Sequence, residues 1–257
     1  MPTISYEEQT KITRAIIKAA VMMLEYGAES KLIEQTSQRM GAALGMDSVE
    51  MSLIPSAIVL STLTPNQSVT TTLMAHHKPI NMSIVYDVQR ICIDLEKEHH
   101  AIETVTERLE KINPNYYNRW LVIFMVGFSC ASFAYLAGAD IVAFFITFLA
   151  SSVAMAVRQE LAKHKFISLI IFAITAFVAT VVASLSYFEG ISSTPSIAIS
   201  SSVLLLVPGF PFINSFLDAV KGFLSMGWGR WLQATLLTLA TSMGIIFAMS
   251  LLNIKGW

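Results

Sequence analysis

Charge is scarce in the second half of this sequence of 257 residues. Fourteen of the 18 Asp and Glu residues, and ten of the 17 Lys and Arg residues, lie at or before position 118. The 139 residues that follow carry only four acidic and seven basic side chains. These charges separate apolar runs of about 20 residues, the length that an α-helix needs to cross a bilayer. The sequence therefore predicts a water-soluble domain over residues 1–118 and a membrane domain over residues 119–257.

Cysteine is also rare, and an apolar leader is missing. Cys92 and Cys130 fall on opposite sides of the predicted domain boundary, so we expect no disulfide between them. Residues 1–30 are polar and amphipathic and lack the continuous apolar stretch of a secretory signal. We therefore expect the first membrane helix to direct insertion.

Motifs for catalysis are missing as well. The sequence has no P-loop, dinucleotide fingerprint or nucleophile elbow, which argues against an ATP-driven subunit or a hydrolase. His76 and His77 lie at the end of a predicted strand. His99 and His100 are neighbours on a predicted helix, where they point about 100° apart and form a poor chelating pair. We expect no enzyme activity, metal, cofactor or nucleic-acid partner.

Five apolar runs are long enough to cross a membrane. The predicted crossings are residues 120–137, 141–157, 166–187, 195 to about 224, and 231–252. Basic residues collect in one set of the flanking loops, at Arg119, Arg158, Lys163, Lys165, Lys221 and Arg230. Because cytoplasmic loops are enriched in Lys and Arg, we expect a cytoplasmic N-terminal domain and an external C-terminus.

The fourth crossing is interrupted. Its first part, Pro195 to Val207, has only 13 residues before the run Pro208, Gly209, Phe210 and Pro211. Two prolines and a glycine cannot continue a regular helix, so we expect a break inside the membrane. A new half-helix beginning near Pro211 would point free N–H groups, around residues 212–214, toward the membrane centre, where they would attract a carboxylate.

Polar residues follow this break and complete a candidate substrate site. Its predicted members are Pro208, Gly209, Phe210, Pro211, Asn214, Ser215, Asp218, Lys221 and Arg158. Asp218 and Lys221 share one helical face and form either an interfacial ion pair or the lining or gate of a substrate path. Arg158 ends the second crossing and is either a topology anchor or a ligand.

Small residues recur every four positions in three crossings. They are Ala176, Thr180 and Ser184, then Gly127 and Ala131, then Ala150 and Ala154. Such faces allow helices to approach closely in lipid. They indicate either packing within one bundle or a seam for another subunit.

The N-terminal half predicts a small α+β domain. A helix through Ile12 ends at Gly27, and a second helix, capped by Ser30, ends at Gly45. Strands are expected over residues 48–53, 57–63 and 69–75. One helix of about 30 residues is expected from Ser83 toward Arg119, which would join the domain almost rigidly to the first crossing.

Four motifs resemble those of one transporter family. They are Gly27-Ala28-Glu29-Ser30, Gly45-Met46-Asp47-Ser48-Val49-Glu50, Ile80-Asn81-Met82, and the run from Val203 to Pro211. In their order and over nearly its whole length, the chain resembles the threonine/serine exporter family, more closely the larger subunit of its two-subunit branch, which is associated with succinate export. The resemblance implies a cytoplasmic N-terminal domain, five membrane helices and a separate small membrane subunit.

These observations together lead to one expected function. We expect a membrane all-α bundle with an N-terminal cytoplasmic α+β domain, acting as a subunit of a bacterial inner-membrane secondary exporter of small carboxylates. Succinate is placed ahead of threonine or serine, and the expected partners are the small subunit, membrane lipid and further copies in an oligomer. The alternatives are a threonine/serine exporter subunit, or a regulatory or enzymatic domain on a membrane anchor. A mere anchor does not require irregular backbone in lipid, which argues against the last.

Overall fold

The computed structural model describes residues 4–76, 78–98, 101–188 and 191–254. The chain forms two compact units. The first contains the chain up to Tyr116 together with Phe210–Trp231, and the second contains Tyr117–Gly209 together with the chain from Leu232. The chain therefore passes from the second unit into the first next to the predicted break at Pro208 and Gly209.

The first unit combines helices with one small sheet. Its elements are α1 (Tyr6–Glu25), α2 (Ser30–Ala43), β1 (Ser48–Ile54), β2 (Ala57–Thr64), β3 (Gln67–Met74), α3 (Met82–Lys97) and α4 (Ile102–Glu110). The strands form an antiparallel sheet in the order β1-β2-β3. The predicted helix pair and three strands are confirmed to within a few residues.

The core of this unit lies between α1 and the sheet. Apolar side chains of α1, such as Ile16 and Met23, are fully buried. Two buried polar residues of α1 bind Thr62 in the central strand: Gln9 Nε2 donates to the Thr62 carbonyl over 2.9 Å, and the hydroxyls of Thr13 and Thr62 lie 2.7 Å apart. These bonds fix how α1 packs on the sheet, because a buried amide without a partner is costly.

Two details of the predicted N-terminal domain are wrong. Ser30 does not cap α2, because it is already the first helical residue and Glu29 occupies the capping position without a side-chain bond. The single long helix is also wrong, because α3 ends at Lys97 and Glu98 takes an extended conformation. After α4, residues 112–118 are not helical, as the proline at position 114 favours. His77, His99 and His100 lie outside the described residues.

The second unit is a helical bundle. It contains α5 (Arg119–Leu136), α6 (Ile141–Lys163), α7 (Ser168–Ala183) with a 3₁₀ turn at Ser184–Tyr187, and α8 (Pro195–Ser202) with a 3₁₀ turn at Leu204–Leu206. Two more helices follow. Apart from Gly209, α9 (Gly209–Val220) belongs to the first unit, and α10 (Leu224–Leu251) runs through both units.

Among the described residues, four helices are long and apolar enough to cross a membrane: α5, α6, α7 with its 3₁₀ turn, and α10. A fifth crossing is counted if the bent pair Pro195–Leu206 and Gly209–Val220 forms one span. The two parts of this pair meet at an angle of 57°. The predicted interruption of the helix after Val207 is therefore confirmed, as a bend between two helical parts.

The small-residue faces pack inside the chain. A Cβ added to Gly127 would lie 2.1 Å from Ser152 Oγ and 3.0 Å from the Phe148 carbonyl oxygen, so α5 and α6 approach closely there. Ala131, Ala150, Ala154 and Ala176 are fully buried. These contacts support packing within one bundle rather than a seam for another subunit.

Candidate functional site

Helix α9 has an inverted amphipathic pattern. Its polar residues Asn214, Ser215 and Asp218 are buried, and Asp218 has no exposed surface. On the other side, Phe216 and Val220 are about 70% exposed (70% and 69%). The polar face of α9 therefore binds protein, and its apolar face does not contribute to the core of this unit.

Asp218 bridges α2 and α10. One carboxylate oxygen accepts a hydrogen bond from the Ser30 N–H over 3.0 Å, and the other accepts one from Arg230 Nη1 over 2.7 Å. Arg230 also donates from Nη2 to the Ala28 carbonyl over 2.7 Å. A carboxylate at the first turn of a helix satisfies a free N–H and interacts favourably with the helix dipole. Asp218 thus provides the cap that the side chain of Ser30 does not.

Two further contacts join α9 to the turn between α1 and α2. Asn214 Nδ2 donates to the Gly27 carbonyl over 3.0 Å, and Lys221 forms an ion pair with Glu29. Each of the four residues of this turn is therefore bound: Gly27 by Asn214, Ala28 by Arg230, Glu29 by Lys221 and Ser30 by Asp218. We call these eight residues the turn cluster.

Close packing between α9 and α10 makes the turn cluster possible. A Cβ on Gly227 would lie 2.7 Å from the Ser215 carbonyl oxygen, so only glycine allows this approach. The Ser215 hydroxyl itself donates to the Phe212 carbonyl of its own helix over 2.7 Å. The ring of Phe210 lies 3.4 Å from the position of a Cβ on Gly27. The start of α9 is thus in contact with the turn between α1 and α2.

The predicted pair between Asp218 and Lys221 is wrong, because each side chain binds another partner. Arg230 was missed by sequence reasoning, which counted it among the loop cations. It lies inside α10, which begins at Leu224 rather than at Trp231, and is only 9% exposed. Gly222, with φ of +91°, ends α9 and was the signal that a new helix starts soon after it.

The predicted group of free amides at the break is also wrong. Because α9 already begins at Gly209, the N–H groups of residues 212–214 bond inside the helix. The N–H of Gly209 donates to the Val207 carbonyl over 2.9 Å, and Pro211 has no N–H. The start of α9 therefore does not offer the predicted amides to an anion.

Arg158 lies in the second unit, near the end of α8. Its Nη1 donates to the Leu205 carbonyl over 3.2 Å, and its guanidinium lies 5.0 Å from the centre of the Phe172 ring. The predicted site residues are thus divided between the units. Arg158, Pro208 and Gly209 belong to the second, and Phe210, Pro211, Asn214, Ser215, Asp218 and Lys221 belong to the first.

Polar side chains of α6 donate hydrogen bonds to the backbone of α8, the helix before the break. Thr147 donates to the Ala198 carbonyl over 3.5 Å, and Ser151 donates to the Ser202 carbonyl over 3.1 Å. With Arg158, these residues form a row on α6 whose spacings of four and seven place them on one helical face. Carbonyls at the end of a helix lack intrahelical partners, so Ser151 satisfies the last carbonyl of α8, that of Ser202.

Asp140 joins the other ends of the same two helices. Its carboxylate accepts hydrogen bonds from the backbone N–H groups of Ala143 and Ser193, each over 2.6 Å, and from the Ser192 hydroxyl over 3.0 Å. The two backbone N–H groups lower the pKa of Asp140 to about 2. Sequence reasoning did not identify this residue, because Ser192 and Ser193 are more than 50 positions away from it.

No metal site or disulfide is evident in the part of the chain that the structure describes. It contains no group of three or more His, Cys, Asp or Glu side chains that could hold a metal ion. Cys92 and Cys130 are free and buried, and burial raises the pKa of the Cys92 thiol to about 11. Such a thiol is unreactive at neutral pH.

Comparison with known proteins identifies the family. The family model described as "Putative threonine/serine exporter" matches residues 14–252. This chain belongs to the threonine/serine exporter family. Two relatives, from Escherichia coli K12 and Klebsiella aerogenes, are each named "Probable succinate transporter subunit YjjP". They are 44% identical to this chain, over 98% of both chains for the first and 97% of both chains for the second.

A third relative, an uncharacterized protein of Haemophilus influenzae Rd, is 44% identical over 52% of this chain and 46% of its own. No solved structure matches this exporter-family chain. Family membership confirms the resemblance inferred from the sequence motifs, and with the apolar helices it makes this chain a membrane transport protein. Two of those motifs can be located in the structure. The Gly27–Ser30 turn is part of the turn cluster, and the run from Val203 to Pro211 contains the bend.

Proposed function

We propose that this exporter-family chain is the larger subunit of a secondary exporter that moves succinate out across the bacterial inner membrane. The observation that carries this proposal is the 44% identity, over 98% of both chains, to a relative named as a succinate transporter subunit. Identity of that extent leaves little room for a different architecture or cargo class. The chain is a transporter subunit and not an enzyme.

The bent fourth crossing supports transport over simple anchoring. Val207 and Pro208 interrupt an apolar stretch, and irregular backbone in lipid requires protein or a watery cavity to satisfy its polar groups. Transporters use such broken helices at their substrate sites. A protein that only tethers its soluble domain gains nothing from this feature.

A second, small membrane subunit completes the transporter in this proposal. Both near full-length relatives are named as subunits, and the described residues provide at most five crossings. Many transporters are built from two related halves, which suggests that the partner supplies the other half. Since the small-residue faces are used internally, the partner binds other surfaces, and the complex is an oligomer embedded in lipid.

We propose that the N-terminal domain, residues 1–118, lies in the cytoplasm and that the C-terminus is external. Lys163, the last residue of α6, and Lys165, just after it, remain the clearest topology signal, because Arg230 lies in a helix rather than in a loop. Single cysteines at His164 and Ile191, in a chain whose Cys92 and Cys130 are replaced by Ala, test this orientation. An impermeant thiol reagent should label only the Ile191 variant in intact cells, and the opposite pattern would reverse the topology.

In this proposal, the six predicted site residues from Phe210 to Lys221 position the transport machinery. Asn214, Asp218 and Lys221 are already bound to the turn between α1 and α2. Because α9 begins at the break, they would transmit movement between the first unit and Pro208-Gly209. Their proposed role is therefore coupling, with Phe210, Pro211 and Ser215 shaping the helix.

Threonine or serine export is the second candidate, because the family description names these substrates. An amino acid requires an anionic group for its ammonium and a cationic group for its carboxylate. Asp218 was the predicted anionic group, but Ser30 and Arg230 occupy its two oxygens. This occupation favours the dicarboxylate.

Uptake into inside-out membrane vesicles tests the proposed function. Vesicles with both subunits should accumulate labelled succinate, and vesicles with this chain alone should not. Labelled threonine should stay at the level of empty-vector vesicles. Threonine uptake above succinate uptake would make the chain an amino-acid exporter, and succinate uptake by this chain alone would remove the partner from the proposal.

A further inference from the structure

We propose that the guanidinium of Arg158 is the group of this chain that binds a carboxylate of the transported substrate. This assignment rests on the proposed function, because it names the substrate contact within that exporter. It distinguishes Arg158 from the other two charged residues of the predicted site, Asp218 and Lys221, which form ion pairs with Arg230 and Glu29.

The charge of Arg158 is not neutralised by the chain. Within residues 4–76, 78–98, 101–188 and 191–254, Arg158 forms no ion pair. The nearest carboxylate along α6 belongs to Glu160, which binds Arg119 over 2.9 Å and Lys163 over 3.2 Å. Residues two apart on a helix do not face each other, so Glu160 points away from Arg158.

An uncompensated cation in an apolar bundle calls for an anionic ligand. Charged groups at membrane depth are costly and usually mark substrate or ion pathways. Arg158 is partly buried. Among the described residues, its guanidinium donates a hydrogen bond to the Leu205 carbonyl and lies over the Phe172 ring. Neither carries a formal negative charge, although both interact favourably with a cation.

The guanidinium of Arg158 has further N–H groups that can donate hydrogen bonds to a carboxylate. Arginine has five N–H donors in a planar fork, and one hydrogen bond from Arg158, to Leu205, is present. A carboxylate can accept two parallel hydrogen bonds from such a fork, which lysine cannot provide. The Phe172 ring lies against the guanidinium, which limits the directions in which the fork can turn.

A buried hydroxyl lies on α7, about one helical turn from Phe172. Thr175 lies three residues after Phe172 on α7 and shares its side of the helix. Its hydroxyl is fully buried and has no hydrogen-bond partner in the described residues.

Binding and transport by matched variants test this assignment. Arg158→Gln removes the charge but keeps polar donors, and Arg158→Lys keeps the charge but loses the fork. Ser151→Ala is the control, because it removes another contact between α6 and α8 without touching the cation. The purified complex of both subunits is titrated with succinate and with its uncharged analogue succinamide, and stabilisation against thermal unfolding is measured.

Succinate should stabilise the wild-type complex, and succinamide should not. Arg158→Gln should weaken succinate binding about 10- to 100-fold, as expected for the loss of hydrogen bonds to a charged group. Arg158→Lys should bind more tightly than Arg158→Gln but less tightly than the wild type. Ser151→Ala should keep the wild-type affinity.

Three results would overturn the assignment: wild-type succinate affinity in Arg158→Gln, equal losses in Arg158→Gln and Ser151→Ala, or equal binding of succinamide. If Arg158→Gln does not accumulate in membranes, wild-type affinity in Arg158→Lys overturns it instead. The same titration with threonine separates this assignment from the proposed cargo. Threonine binding that depends on Arg158, without succinate binding, would reject succinate export and retain Arg158 as the carboxylate group.

Discussion

Arg230 and Arg158 are both arginines in apolar helices, but the chain surrounds them differently. Arg230 is buried against the Asp218 carboxylate at 2.7 Å and binds the Ala28 carbonyl, also at 2.7 Å. Arg158 has a carbonyl and an aromatic ring as partners and no carboxylate in the described residues. One cation is neutralised by the fold, and the other is not.

This difference in partners indicates that the two arginines have different roles, one structural and one in binding substrate. A buried ion pair with satisfied hydrogen bonds holds two elements in one arrangement, and its loss is costly because one charge is left buried alone. An uncompensated cation keeps its attraction for an anion from outside. We therefore assign Arg230 to the structure of the turn cluster and Arg158 to the substrate.

Replacing one arginine at a time should produce the largest difference, and that difference is in the free energy of unfolding. Arg230→Gln should lower the free energy of unfolding by about 3–5 kcal/mol, because Asp218 remains buried without its partner. Arg158→Gln should lower it by about 1 kcal/mol or less, because one hydrogen bond to a carbonyl is lost. Thermal and urea unfolding in detergent measure both.

A double variant provides the control for this contrast. Asp218→Leu together with Arg230→Met removes both charges and should be less destabilised than Arg230→Gln alone. Equal destabilisation by Arg230→Gln and Arg158→Gln would mean that both arginines are structural.

Straightening the break should abolish most export without unfolding the chain. In Pro208→Ala/Gly209→Ala/Pro211→Ala, the two helical parts that meet at 57° can join into a regular helix, because no proline is left at the junction. A Cβ on Gly209 has no neighbour within 4 Å, so Gly209→Ala alone is a control that should fold and export normally. Succinate uptake is compared at equal protein level, measured by immunoblot. Normal export by the triple variant would show that the bend is not needed for transport.

Some of this picture was predictable from sequence and some was not. Hydropathy and periodicity gave α1, α2, the three strands and the crossings, because they report which residues are buried. Pro208 and Gly209 gave the break, since their backbone chemistry is local. Periodicity does not report what a buried residue contacts. The bond between Ser30 and Asp218 spans 188 positions, so the turn cluster had no local signature.

The smallest effect is expected at Asp140, which aligns the helices that carry and contact Arg158. Its pKa is lowered from 3.8 to about 2 by hydrogen bonds in the folded state. A lowered folded-state pKa contributes stability above the unfolded-state value near 3.8, and this contribution is lost as the pH falls toward 2. Asp140→Asn should therefore melt at a lower temperature than the wild type at pH 6, and the difference should shrink at pH 3 and below. A difference that is independent of pH would show that the carboxylate charge is not what binds residues 192 and 193.

The concentration dependence of succinate uptake tests the assignment of the two arginines most directly. Initial rates are measured in inside-out vesicles with both subunits for the wild type, Arg158→Lys and Asp218→Asn, each normalised to folded complex. We predict that Arg158→Lys raises the succinate concentration for half-maximal uptake about tenfold or more, because the bidentate contact is lost. Asp218→Asn should reduce the amount of folded complex and leave that concentration unchanged. An unchanged concentration in Arg158→Lys, with a raised one in Asp218→Asn, would contradict the account and place the substrate at the turn cluster.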